Sequence, residues 1–216
     1  MTKLNSIFSQ NATTSPRKPI RYFLSILLIG MLLAYFTAIV ACNFWLSPFF
    51  IETDMYADMK YAEQVWVYKS IFPKGWLFGN QLYAVATPVL AAFFIGLTGN
   101  PSTAMGIAST LMSIFTLLSM NWMLKPLIKD PLGRLFALVS LLSITLAVTD
   151  PIWGWHGWQL LFIDCSYYAC YLITAFLTIG CYLRWDEQWN TRCWAVLLLS
   201  CLLSFGTGIQ SLRQTA

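Results

Sequence analysis

Between Tyr22 and Trp45 the chain runs for 24 residues without one charged side chain. A helix of that length rises about 36 Å, more than the roughly 30 Å of hydrocarbon in a bilayer. In that solvent each backbone N–H and C=O must be satisfied within the segment, which leaves the helix as the only open-chain solution. Further apolar runs follow at Leu82–Leu97, Thr103–Leu124, Leu135–Val148, Gln159–Leu183 and Cys193–Gly208. Only 10% of the 216 residues are charged, against roughly 25% in a water-soluble domain. The fold class read from this pattern is all-α, a polytopic transmembrane helix bundle.

Arg17, Lys18 and Arg21 precede the first run, as in a signal peptide. A signal core is roughly 7–15 residues long, however, and this run exceeds it. The six cysteines fall in or beside apolar runs, with no C-x-x-C pair. They read as packing side chains rather than as disulfides or a zinc site. The net charge of +4 is carried by basic clusters that flank apolar runs, which calls for a lipid bilayer and no nucleic acid.

Residues 1–21 read as a disordered, basic cytoplasmic tail, 22–208 as a transmembrane helical module, and 209–216 as a short C-terminal tail. The positive-inside rule then fixes topology. With the N-terminus cytoplasmic, the first span delivers residues 47–81 outside. If Leu82–Leu97 also crossed, the basic loop Lys125–Arg134 would lie outside. At 16 residues that run is shorter than the roughly 20 needed to cross. The reading is therefore five spans, with interfacial helices in the first external loop and residues 82–97 uncrossed; six spans is the alternative.

Four of the nine acids sit in the loop 47–81: Glu52, Asp54, Asp58 and Glu63. Met55, Met59, Ala62 and Trp66 recur at helical spacing and predict an amphipathic helix starting at Thr53 or Asp54, its apolar stripe on the membrane surface. Asp58 and Tyr61 flank the stripe on one side, Lys60 and Glu63 on the other. Asp54, with Glu52 beside it, is the leading catalytic candidate. A carboxylate at a membrane mouth meets a lower dielectric than bulk water, which tunes its pKa for base work or metal binding. Asp150 shares that face on the favoured topology. Asp164 lies inside the run Gln159–Leu183, where an ionisable group marks a functional site by default. Tyr167, Tyr168 and Tyr171 follow it as a stripe expected to face a bundle interior. Asp58, Lys60, Glu63 and Asp164 are the candidates for contact with substrate, and Asp54 with Asp150 for any metal.

The segments Glu52-Thr53-Asp54-Met55-Tyr56, Tyr61-Ala62-Glu63 and Phe72-Pro73-Lys74-Gly75-Trp76, after one span and a basic tail, resemble the GT-C superfamily of membrane glycosyltransferases. The likeness is to the protein O-mannosyltransferase and aminoarabinose transferase type. Asp150-Pro151 stands where that family's second external loop often carries Asp-Pro. The resemblance implies transfer of a sugar from a polyprenyl-phosphate carrier at the outer membrane face. The carboxylate at Asp54 would act as base on the acceptor or bind a divalent cation, with Asp150 assisting. It implies an integral protein of a bacterial inner membrane. It covers only the family's N-terminal module, so the chain reads as a fragment or truncated copy. Two other functions fit the same residues. One is a non-catalytic membrane subunit or scaffold with membrane-protein partners. The other is a small transporter using Asp164.

Overall fold

The computed structural model describes residues 17–46, 53–76, 86–147, 157–163, 168–184, 191 and 193–202. Every regular element among them is a helix. In chain order these are α1 (Arg17–Ala41), which continues as a π turn over Cys42–Leu46, α2 (Thr53–Tyr68), α3 (Thr87–Thr98), α4 (Pro101–Leu124), α5 (Pro131–Ala147), α6 (Gly157–Leu161) and α7 (Ala169–Tyr182). The last is α8 (Cys193–Leu202). Among the described residues two segments are long and apolar enough to cross a membrane, Pro19–Trp45 and Pro101–Leu124.

The helix directions follow from paired contacts. Near the start of α1, Arg21 pairs with Asp130 at 2.7 Å. Near its end, the Tyr35 and Ser143 hydroxyls are 3.0 Å apart and Ile39 packs in one cluster with Leu142. The helices α1 and α5 therefore point the same way. Gly106, early in α4, lies against the end of α1, so close that a Cβ there would meet the Asn43 carbonyl at 2.7 Å. Helix α4 thus runs opposite to α1. At the far end of α4, Trp122 packs on Gly180 and Arg184, so α7 runs with α4. The contacts Cys181–Cys193 and Thr178–Ser200 lay α8 antiparallel to α7.

One end of this bundle gathers Arg21, Lys125, Lys129, Arg134 and Arg184, with Asp130 the one described carboxylate there. We call it the basic end. At the other, the loop end, Asn100 caps α4 by accepting from the N–H groups of Ser102 and Thr103. Gly99, at φ 65°, closes α3 into the turn before it; glycine takes that left-handed conformation without a Cβ penalty. Helix α3 is 12 residues, about 18 Å. Its Leu90 meets Met112, midway along α4. It thus reaches from mid-bundle to the loop end and no further.

Beside an apolar core, hydroxyls are buried and large apolar side chains are exposed on several helices. Ser109, Ser113, Thr116 and Ser119 are buried along one face of α4, while Phe115 and Leu118 are exposed on another. Helix α1 presents Ile20, Phe23, Ile26 and Leu33 outward. Hydroxyls inside and large apolar groups outside suit helices packed in lipid, where small residues let backbones approach and polar side chains bond across helices. The hydroxyls of Ser113 and Thr116 lie within 2.9 Å of carbonyls one turn back in α4, so none is stranded.

Three expectations change. The apolar stripe of α2 packs against α3 and α4 rather than standing free. Met55, Asp58, Tyr61, Ala62 and Val65 are buried against Ala91, Ala92, Ile95, Ala104 and Ala108 of α3 and α4, while Trp66 is partly exposed. The buried face is rotated toward Asp58 and Tyr61, because the small alanines of α3 and α4 offer a surface that large side chains fill. The run Gln159–Leu183 is not one helix: α6 ends at Leu161 and α7 begins at Ala169. Tyr168 and Tyr171 are exposed rather than turned into the bundle, with ring centroids 6.2 Å apart.

Candidate functional site

The loop end is built around one buried asparagine. Asn43 sits in the π turn that closes α1 and is 2% exposed. A π turn widens the helix by one residue and commonly marks a functional position. Its Nδ2 donates to Thr110 Oγ1 of α4 and to the Phe162 carbonyl just beyond α6, both at 3.2 Å. The Ser113 hydroxyl lies 2.9 Å from the same Phe162 carbonyl. Asn43 Oδ1 is buried with no protein hydrogen-bond partner among the described residues. A neighbouring junction joins α5 to α6: the Trp158 indole donates to the Leu142 carbonyl at 2.9 Å, and Gly157 lies against the backbone of Thr145, leaving no room for a Cβ.

These junctions tie together the stems of three loops. The chain leaves the π turn at Leu46 toward Glu52 and Asp54. It leaves α5 at Ala147 toward Asp150 and returns at Gly157. It leaves Phe162 and Ile163 toward Asp164. Glu52, Asp150 and Asp164 lie outside the described residues, as does Tyr167. The backbone of Asp54 opens α2, one residue after Thr53, while its side chain is outside the description.

Of the remaining candidates, Asp58 is 3% exposed and faces the α2–α3 core with Tyr61. Burial, with the Asp58 charge adding to it, pushes the Tyr61 phenol up to about 12. That phenol donates to the Ile71 carbonyl at 2.8 Å and packs on Trp76, fixing the turn after α2. Lys60 and Glu63 are bound to one another at 2.7 Å. The hydrogen bond and charge of Glu63 hold the Lys60 ammonium above its usual range. Asp58 is thus placed in packing, and Lys60 and Glu63 in a half-exposed pair on α2.

Among the described residues no three His, Cys, Asp or Glu side chains come together to hold a metal ion. A divalent cation on Asp54 and Asp150 would use groups outside the description. Two residues that sequence reasoning did not single out prove central, Asn43 and Arg184. Their signal was present: each is a strongly polar side chain at the end of an apolar run. Arg184 is buried, stacks 3.9 Å over the Trp122 ring, and donates to the Gly180 and Trp122 carbonyls at 2.6 and 2.5 Å.

Compared with protein-family models, with curated proteins and with solved structures, the chain finds no match.

Proposed function

We propose that the chain is an integral membrane protein whose loop end is a glycosyl-transfer site of GT-C type. The observation that carries this reading is the shared anchorage of three loop stems, with Asn43, Phe162, Leu142 and Trp158 at one end of the bundle. The stems leading to Glu52 and Asp54 and to Asp150 start from that end, and the stem leading to Asp164 starts where the Phe162 carbonyl meets Ser113, midway along α4. On this reading the acids of these loops serve one face, opposite the basic end. By the positive-inside rule the basic end is cytoplasmic and the loop end external. The membrane is of bacterial inner type, and the N-terminus is cytoplasmic.

On this reading α1, α4, α5, α7 and α8 are the five crossings, and α2 and α3 belong to the external side. The reaction joins a polyprenyl-phosphate-linked sugar to an acceptor. The carrier's phosphate lies at the headgroup level, so reacting carboxylates must lie there too. Asp54 takes the acceptor proton as general base or holds a divalent cation. Glu52 and Asp150 support it. Lys60 and Glu63 form the rim of α2, and Asp164 contacts substrate from the α6–α7 side. Positioning a base beside the acceptor contributes typically 10²–10⁴-fold in rate.

The test is transfer of a sugar from polyprenyl phosphate in proteoliposomes. Asp54→Asn and Asp150→Asn abolish or sharply reduce transfer, while Glu63→Gln retains most of it. Undiminished transfer by Asp54→Asn sinks the assignment. A transporter reading has one observation of its own. The helices α6 and α7 are short pieces on either side of Asp164, next to the hydroxyl stripe of α4, as in discontinuous transport helices. Loss of proton-coupled uptake in Asp164→Asn, with no sugar transfer by the parent, selects it.

A further inference from the structure

Because α3 is half the length of α4, no described helix fills the bundle beneath its N-terminal end. A cavity of about 730 Å³ occupies that place, walled by α3, α4, α7 and α8 and lined by side chains such as Val89, Phe93, Leu118, Leu177 and Leu199. Its lining is almost wholly apolar. Met112, midway along α4, lines one part of it and Trp122, at the basic end, another. The Trp122 ring carries Arg184 at 3.9 Å. That guanidinium donates to the Gly180 and Trp122 carbonyls, and its charge meets no carboxylate among the described residues. Lys125 caps α4 one turn beyond Trp122. Asp130, the described acid of this end, is already held by Arg21.

We propose that this cavity holds one acyl chain of an anionic phospholipid from the leaflet at the basic end, with the phosphate at Arg184 and Lys125. The apolar slot suits a hydrocarbon chain, and its size lies within the 300–1,000 Å³ of ordinary ligand pockets. Beyond the lining, Arg184 on the far side of the contact with Trp122 and Lys125 three residues after it place two cations next to the cavity's basic end, and basic pockets between membrane helices select anionic headgroups. The occupant fills the volume that a full-length α3 would have taken and ties α4, α7 and α8 together. The inference rests on the membrane-embedded reading and is independent of sugar transfer.

The full chain, purified in detergent, is examined by native mass spectrometry with added phosphatidylglycerol, phosphatidylethanolamine or polyprenyl phosphate. Retention of one phosphatidylglycerol per chain, about tenfold over phosphatidylethanolamine, is expected. Leu118→Trp, which fills the slot from an exposed position, removes retention of both phospholipids. Arg184→Gln and Lys125→Gln each erode the headgroup preference. Equal retention of the two phospholipids overturns the proposal. So does phosphatidylglycerol bound by a helical Leu118→Trp chain, or its one-for-one displacement by polyprenyl phosphate. Should Arg184→Gln fail to fold, the exposed Lys125→Gln carries the headgroup test.

Discussion

Asn43 donates to the Phe162 carbonyl at 3.2 Å, joining the end of α1 to the end of α6 across 119 residues of sequence. That bond and its Thr110 partner are made inside the protein, where an unmet donor or carbonyl costs the full desolvation penalty. Asn43→Ala removes both bonds and leaves the Phe162 carbonyl to Ser113 alone. The expected loss is about 1–3 kcal/mol, read as a lower unfolding midpoint in detergent. Ser113→Ala loses less, since the Asn43 bond to Phe162 remains. Equal stability of Asn43→Ala and wild type contradicts the anchoring role.

Two glycines separate backbone from side-chain crowding. A Cβ at Gly106 meets the Asn43 backbone carbonyl at 2.7 Å, and that oxygen cannot move without shifting the π turn. A Cβ at Gly96 meets the tip of the Trp66 ring, which can swing away. Gly106→Ala should cost about 1–3 kcal/mol, the usual range for overpacking, and Gly96→Ala less. Trp66→Ala relieves Gly96→Ala and leaves Gly106→Ala unrelieved. Thermal midpoints of the four variants check the pattern.

The Tyr61 phenol titrates near 12 in the folded chain rather than near 10. Its folded pKa lies above the unfolded one, so the neutral form is the one the fold prefers. The stabilisation is complete below pH 10 and is lost as pH rises from 10 toward 12. Two pKa units correspond to roughly 2–3 kcal/mol. Phenolate absorbance should show one tyrosine fewer ionising near pH 10 than in Tyr61→Phe plus one reference phenol, and Tyr61→Phe should flatten the stability loss above pH 10. A Tyr61 that ionises near pH 10 contradicts its burial beside Asp58.

Helix direction is open to chemical test. With Cys201 replaced by serine, a cysteine at Asn100 should react with a membrane-impermeant maleimide from outside whole cells. A cysteine at Lys129 should react only after the membrane is opened. Both positions are exposed turns at opposite ends of α4 and beyond. Labelling of both from the same side excludes the single crossing by α4 on which the topology depends.

Some of this was legible in the residues themselves. The run Tyr22–Trp45 gives α1 with its π turn, although the helix starts earlier, at Arg17. The Gly99-Asn100-Pro101 sequence gives the turn into α4, because glycine, a capping asparagine and a first-turn proline each act locally. The start of α2 at Thr53 is likewise local. Less legible were the rotation of α2 toward Asp58, the break between α6 and α7, and the outward turn of Tyr168 and Tyr171. Each depends on what the neighbouring helix offers: small alanines on α3 and α4, or donors from Asn43 and Ser113 for the Phe162 carbonyl.

By itself the sequence determined that the chain is helical with long apolar runs, since run length and hydrogen-bond satisfaction are properties of a single segment; of the five spans read from those runs, two described helices are long and apolar enough to cross a membrane. The tertiary structure decided which helix ends meet, that Asn43 ties the end of α1 to the end of α6, and that a 12-residue α3 leaves an apolar cavity beside Trp122. Those are contacts between residues up to 119 positions apart. They arise from the fit of one helix surface to another, which no periodicity within a segment encodes.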